Sequence, residues 1–241
     1  MTGLGTVINV VAIVLAGILG KFCGGLLSER YQDTLNKACG VCVLFIGIAG
    51  TMEGMLSIEG SSIVSGSSML ITVCLAGGSL LGEWLNLEDK FESFGEWLKQ
   101  KSGNASERTF VDGFVTASLT VSIGAMAIVG AIEDGIFNDY SILVTKSILD
   151  FLIILVMTCS MGKGCAFSAI PVGIFQGSVT VLANLVKPLM TDAALSNISL
   201  MGSIMVFCVG LNLVWGKRIR VANLLPGLII ALIVAFLPFN I

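Results

Sequence analysis

The stretch Leu4–Leu27 reads LGTVINVVAIVLAGILGKFCGGLL, with Lys21 as its one charged side chain. A helix that crosses a bilayer needs roughly 20 mostly apolar residues, and this segment meets that requirement alone. It has no basic leader and no Ala-x-Ala cleavage site, so it reads as a mature span and not as a signal peptide. Further segments of the same character cover 36–57, 67–86, 109–132, 140–159, 164–186, 197–215 and 221–239. Charged or turn-forming stretches divide them, such as Ser28-Glu29-Arg30, the Gly/Ser run from Gly60 to Ser68, and Gly216-Lys217-Arg218.

Composition points the same way. The 241-residue chain is 55% hydrophobic and 12% charged, with a mean hydropathy of +0.97. A soluble domain carries roughly 25% charged residues; half of that cannot solvate the outside of a globule, so the surface must face lipid. The 29 glycines fit helices that approach closely where lipid removes the hydrophobic drive to associate. A net charge of −3 gives no sign of a nucleic-acid partner. The absence of histidine removes Ser-His and Cys-His nucleophile pairs and the commonest metal ligand. No GxxxxGK[ST] loop is present, so no ATPase activity of its own is expected. Cys39 and Cys42 form a CxxC that opens an apolar helix without a second pair, which reads as packing and not as zinc binding. No cofactor and no metal are expected.

Cations set the orientation, because loops rich in Lys and Arg stay on the inner side. With the N-terminus outside, the inner side receives Lys21, Arg30, Lys37, Lys90, Lys99, Lys101, Arg108, Lys163, Lys217, Arg218 and Arg220. The outer side receives Lys187, and Lys146 lies within a span. The outer 132–139 loop collects Glu133, Asp134 and Asp139, and Glu133 and Asp134 read first as a solvated loop and otherwise as a cation-attracting mouth. In the long 87–108 connection, Phe91, Phe94, Trp97 and Leu98 recur at helical spacing opposite Asp89, Lys90, Glu92, Glu96 and Lys99. That is the pattern of a short amphipathic helix on the inner membrane surface; a soluble partner-binding helix has the same pattern.

Several helices carry breakers and polar groups. Pro171 and Gly173 interrupt the sixth span and Pro226 and Gly227 the eighth. A proline frees a carbonyl that must be satisfied by protein or water, so a distortion is expected around Pro171–Gly177 with Gln176 turned away from lipid; Pro226 reads as a kink. Gly124 and Gly130 in the fourth span and Gly210 and Gly216 in the seventh share a spacing in oppositely directed segments. The pattern is compatible with an inverted-topology repeat, although glycine-rich helices also align by composition alone. In the fifth span Lys146 and Asp150 share one helix face, as a closed structural ion pair or as a site whose charge is exchanged during transport. Thr116 and Thr120 make a polar stripe with Gly124, bonded to their own preceding turns or facing a wet crevice. Asn9, Asn184 and Asn212 are deep amides for which interhelical bonding is the commoner use.

The runs VSIGAMAIVGAIEDG (121–135), KSILD (146–150), FSAIPVGIFQG (167–177) and GLNLVWGKRIRVANLLPGL (210–228) resemble a prokaryotic membrane family catalogued as domain of unknown function 554. The resemblance covers essentially the whole chain. It implies a multi-span inner-membrane protein with a role in transport, and it carries over no functional residues.

The expected fold is an all-α integral membrane protein with about eight transmembrane helices in a single domain over residues 1–241. The leading function is a transporter or channel for a small polar solute or ion, with Lys146, Asp150, Thr116, Thr120, Gln176 and Asn212 as candidate pathway residues. The rivals are a non-transporting membrane scaffold or assembly subunit and, behind it, an intramembrane enzyme using Asp carboxylates; enzymatic activity is not expected. The expected partners are the lipid bilayer and a small solute or ion, and a homo-oligomer is compatible with the sequence. The expected location is the bacterial inner membrane, multi-pass, with both termini outside. Single cysteines in the 87–108 connection should be labelled by an impermeant reagent only from inside, and cysteines in the 132–139 loop from outside. Outside access to the first, or none to the second, would reverse this topology.

Overall fold

A computed structural model of the chain describes residues 2–60, 62–122 and 124–236. Eleven helices are described among them: α1 (Leu4–Gly24), α2 (Glu29–Met55), α3 (Ser68–Leu85), α4 (Leu87–Lys101), α5 (Phe110–Ser122), α6 (Ala125–Phe137), α7 (Ser141–Met161), α8 (Ala169–Val181), α9 (Ala183–Val186), α10 (Asp192–Trp215) and α11 (Pro226–Val234). The Gly/Ser run expected only as a turn holds a hairpin instead, β1 (Leu56–Glu59) with β2 (Ser62–Ser65), in which Ile58 opposes Ile63. Six stretches are long and apolar enough to cross a membrane singly: Leu4–Gly25, Glu29–Met55, Ser68–Leu85, Ser141–Met161, Lys163–Val181 and Asp192–Trp215. The expected fourth span is a pair of helices, α5 and α6, bent by 63° at the break between them. The expected eighth, 221–239, is a shorter apolar helix over Val221–Val234, and residues 237–239 lie outside the described residues. Among the described residues there are therefore six helices long and apolar enough to span singly, or seven counting the bent pair, with one short apolar helix besides.

The helices pack with their small residues inward. On α1, Gly5, Asn9, Ile13, Ala16, Gly17, Gly20 and Gly24 are buried, while Val7, Val11, Val14, Leu15, Ile18 and Phe22 are exposed. That arrangement inverts a soluble helix, and it suits lipid, where large side chains lose nothing by facing outward and small ones allow backbones to meet. An added Cβ at Gly24 would lie 2.8 Å from the Cys159 carbonyl oxygen, and one at Gly47 would lie 2.5 Å from the Phe207 amide nitrogen.

The same contacts give the directions. Gly5 meets Leu143 and Gly24 meets Cys159, so α1 and α7 run parallel. Gly40 meets Val214 and Gly54 meets Leu200, so α2 and α10 run antiparallel, as do α3 and α11, where Gly82 meets Asn223 and Gly77 meets Ile230. These pairings gather the eleven cations assigned to one side at one end of the bundle, the cation-rich end, and leave Lys187 at the far end. The start of α1 and the end of α11 both lie at the far end: Gly3 N–H donates to Asp134, and Asn197 near the start of α10 donates to the Ala231 carbonyl.

The prolines do not kink their helices. A 3-10 turn over Lys163–Ser168 leads into α8, which places Pro171 in that helix's first turn, and α8 is regular through Pro171–Gly177. Pro226 opens α11 after a second 3-10 turn, Val221–Leu224. First-turn N–H groups have no partner within a helix, so a proline there removes nothing. The sharp break lies instead at Gly124, whose φ of 149° favours glycine. Because α10 passes straight through Gly210, the two glycine-spaced segments do not form a pair of equivalent helices.

At the cation-rich end α4 forms where amphipathic spacing places it. Its Leu98 and Gly95 are buried and Phe94 lies edge-on to Phe114 of α5, while Trp97 stays half exposed. Glu88 is buried, accepting from the Ala222 N–H at 2.9 Å and pairing with Lys217 at 3.0 Å. At the far end the turn between α6 and α7 is tied by Ser141, whose hydroxyl and amide both donate to Asp139 and hold that carboxyl below the usual aspartate range.

Close backbone approach predicts a sharp contrast between glycines. Gly47→Val forces atoms into the α10 backbone and should cost about 1–3 kcal/mol or more, read as a lower melting temperature in detergent. Gly177→Ala, where an added Cβ meets no described atom within 4 Å, should be neutral or stabilising. Equal melting temperatures for Gly47→Val and the parent would overturn this packing.

Candidate functional site

The break between α5 and α6 leaves the last carbonyls of α5 without helical partners. The Lys146 ammonium, from the second turn of α7, donates to one of them, Val121 O, at 2.7 Å. It also forms an ion pair with Asp150, one turn further along α7. A cation at a helix C-terminus is favoured by the exposed carbonyls, so a single ammonium satisfies both a broken helix and a buried carboxylate. Asp150 Oδ2 takes a second bond, from Asn9 Nδ2 of α1 at 3.0 Å, and Asn9 Nδ2 also donates to Gln176 Oε1 of α8 at 3.2 Å. Lys146, Asp150, Asn9 and Gln176 are 7%, 3%, 0% and 0% exposed, so four helices meet in one polar chain shielded from lipid. The chain is not saturated: Asn9 Oδ1 and Gln176 Nε2 are buried without partners among the described residues. Beside it the hydroxyls of Thr6 and Thr180 lie 3.4 Å apart.

Two clefts between the helices carry polar groups in their linings, one nearer each end of the bundle. Nearer the far end, a cleft of about 410 Å³ is lined by Glu53, Thr120, Lys146, Asp150, Ser203 and Val206, among others. Nearer the cation-rich end, one of about 220 Å³ is lined by Asn36, Glu88, Asp112, Thr116, Val209 and Lys217, among others. Both run between α2, α5 and α10. Thr116 lines one and Thr120 the other, and Val209 and Val206 are divided in the same way. One helical turn, about 5.4 Å, separates them. A third groove of about 630 Å³ is almost wholly apolar, with Lys90 its one ionisable lining residue. Among the described residues no three His, Cys, Asp or Glu side chains gather as for a metal ion.

The structure sorts the sequence candidates. Lys146, Asp150 and Gln176 come together through Asn9, an amide otherwise read as interhelical bonding. Thr120 does both things open to it: it donates to Thr116 O at 2.8 Å and lines the far cleft. Asn212 borders the other cleft, but its polar atoms hold the loop after α10. Oδ1 accepts from the Arg218 and Ile219 amides at 2.9 and 3.0 Å, and Nδ2 donates to Ile219 O at 2.7 Å. Two readings are corrected. Asp134 is fully buried and not solvated, because its carboxylate accepts from the Gly3 and Gly5 amides at the unpartnered start of α1. Asn184 is exposed on α9 and not deep. Glu53, Ser203 and Asn36 were missed. For Glu53 the signal was present, as the one acid inside the apolar second span.

Removing one partner of a buried pair leaves an uncompensated charge, typically at about 3–5 kcal/mol, whereas removing both is often nearly neutral. Asp150→Asn and Lys146→Met should therefore each lower the melting temperature clearly, and the double replacement should recover most of the loss. If Asp150 also acts in transport, the recovered double variant should stay inactive. A single Asp150→Asn variant as stable and active as the parent would remove the pair from both roles.

Comparison with known proteins agrees with this picture at the level of family. Over 232 residues the chain is 29% identical to "Uncharacterized membrane protein YdfK" of Bacillus subtilis (strain 168), covering 96% of this chain and 95% of the relative. Over 236 residues it is 28% identical to "Uncharacterized protein YqgA" of Escherichia coli (strain K12), covering 95% and 94% respectively. No solved structure matches. The family model described as "Protein of unknown function (DUF554)" matches residues 4–236, and the chain belongs to that family of membrane proteins.

Proposed function

We propose that this protein moves a small polar solute or ion across the bacterial inner membrane, as a secondary transporter or channel and not as an enzyme. The observation that carries the reading is the pair of clefts with polar groups in their linings, one nearer each end of the bundle and separated by one turn of α5 at Thr116–Thr120 and of α10 at Val206–Val209. A scaffold has no need of clefts that nearly meet, and polar and ionisable groups within a membrane are costly enough to mark pathways by default. In this reading the cation-rich end faces inward and both chain termini lie outside. Gly124 and Met126 of α6 line the far cleft, so in this reading a movement of α6 about that glycine changes the cleft's width. A homo-oligomer is compatible with this path, which lies within one chain.

The full saturation of Asp150 Oδ2 by Lys146 and Asn9 favours the second reading, a scaffold whose polar groups only lock packing. Cysteine accessibility separates the two. In a background with the native cysteines replaced, Thr120→Cys should react with an impermeant thiol reagent from outside only, and Thr116→Cys from inside only. Reaction at either position should reduce transport by at least ten-fold. If neither position reacts from either side, the clefts are dry and the transport reading falls.

A further inference from the structure

The far cleft has a definite charge and a definite hydrogen-bonding polarity. Of the side chains lining it, Glu53 and Asp150 are acidic and Lys146 is basic, which leaves one negative charge. One monovalent cation brings that to zero, while an anion doubles it and a zwitterion or neutral solute leaves it uncompensated. The cation-rich-end cleft repeats the arithmetic with Glu88 and Asp112 against Lys217.

The hydroxyls point to the same ligand. A serine or threonine hydroxyl has one proton and two acceptor lone pairs. Thr120 donates its proton to Thr116 O at 2.8 Å, and Ser203 donates its own to Ser199 O at 2.8 Å. Both then face the cleft as acceptors only, which serves a cation and repels an anion. At the inner end Asp150 is 3% exposed; its Oδ2 carries the bonds from Lys146 and Asn9, and its Oδ1 takes none among the described residues. The surroundings of Lys146 show what the place accepts, since its ammonium is a tethered cation held by a carboxylate and a freed helix carbonyl, the oxygen ligands suited to cations.

We infer that the solute is a small monovalent cation, an alkali-metal ion or a primary ammonium, bound in the far cleft by Asp150 Oδ1 and the hydroxyl oxygens of Thr120 and Ser203, beside the Lys146 ammonium and drawn in by Glu53. This rests on the transport reading and names its substrate class. Glu53 stands at the mouth, where an exposed carboxylate raises the local cation concentration. Lys146 keeps Asp150 compensated when the cleft is empty, so the carboxylate is never left bare in the membrane.

Tracer exchange in liposomes holding the full-length protein tests this. The probes are labelled sodium, rubidium and methylammonium, set against labelled phosphate, chloride, glycine and glycerol. Saturable exchange is expected for at least one cation and for none of the others. Glu53→Gln and Ser203→Ala should raise its half-saturating concentration, Glu53→Gln by at least ten-fold, with the melting temperature unchanged because Glu53 is exposed. Exchange of an anion, glycine or glycerol without any cation overturns the cation assignment and leaves transport standing. Cation exchange of unchanged affinity in both variants overturns the site. No exchange of any probe, with Thr116→Cys and Thr120→Cys unreactive, overturns the assignment together with the transport reading.

Discussion

In hydrocarbon a helix has no water to receive its last carbonyls, so a chain that breaks inside the membrane must supply partners from elsewhere in the protein. The break at Gly124 is the point on which the centre of this protein turns. It frees the Val121 carbonyl, and the nearest answer is the Lys146 ammonium. That ammonium is itself too costly to leave alone at such depth, and Asp150 compensates it one turn away. Asp150 then recruits Asn9, and Asn9 recruits Gln176. Each group is expensive by itself and tolerable in company, so one broken helix fixes the relative positions of α1, α5, α7 and α8.

Other polar side chains solve the same backbone problem at the bundle's ends. Asp134 receives the amides at the start of α1, Asn212 both donates to and accepts from the loop that follows α10, and Glu88 with Asn223 ties α4 to the 3-10 turn before α11. Side chains occupied in this way are committed to the fold. What remains facing the clefts is a smaller set: Glu53, Thr120, Ser203 and one oxygen of Asp150 at one end, and Asn36, Thr116 and Asp112 at the other. Separating the two uses reduces the many polar residues of the spans to the few that line the clefts.

Much of the architecture was legible along the chain. Apolar runs located the single spans, the grouping of Lys and Arg assigned their alternation, and the spacing of Phe91, Phe94 and Leu98 placed α4. The inward turn of Gln176 followed from the cost of an amide in lipid. Less legible were the prolines. Pro171 and Pro226 looked like interruptions, and they stand in first helical turns because 3-10 segments precede them. Gly124 looked like a packing glycine in a small-residue stripe, and it is the break. A glycine has the same letter whether it serves close approach or a positive φ, and only the path of the backbone separates these uses.

Sequence alone determined that the chain is a helical membrane protein, which residues face its two ends, and that Lys146 and Asp150 share a helix face, because hydropathy, charge and the 3.6-residue repeat are properties of one segment at a time. Tertiary structure decided that Asn9 joins Asp150 to Gln176, that Asp134 caps a helix 129 residues away from it in the chain, that the polar atoms of Asn212 hold a loop, and that Thr116 and Thr120 line different clefts. These are contacts between segments distant in sequence, and in lipid they are set by how closely small residues let backbones approach, which no single helix encodes.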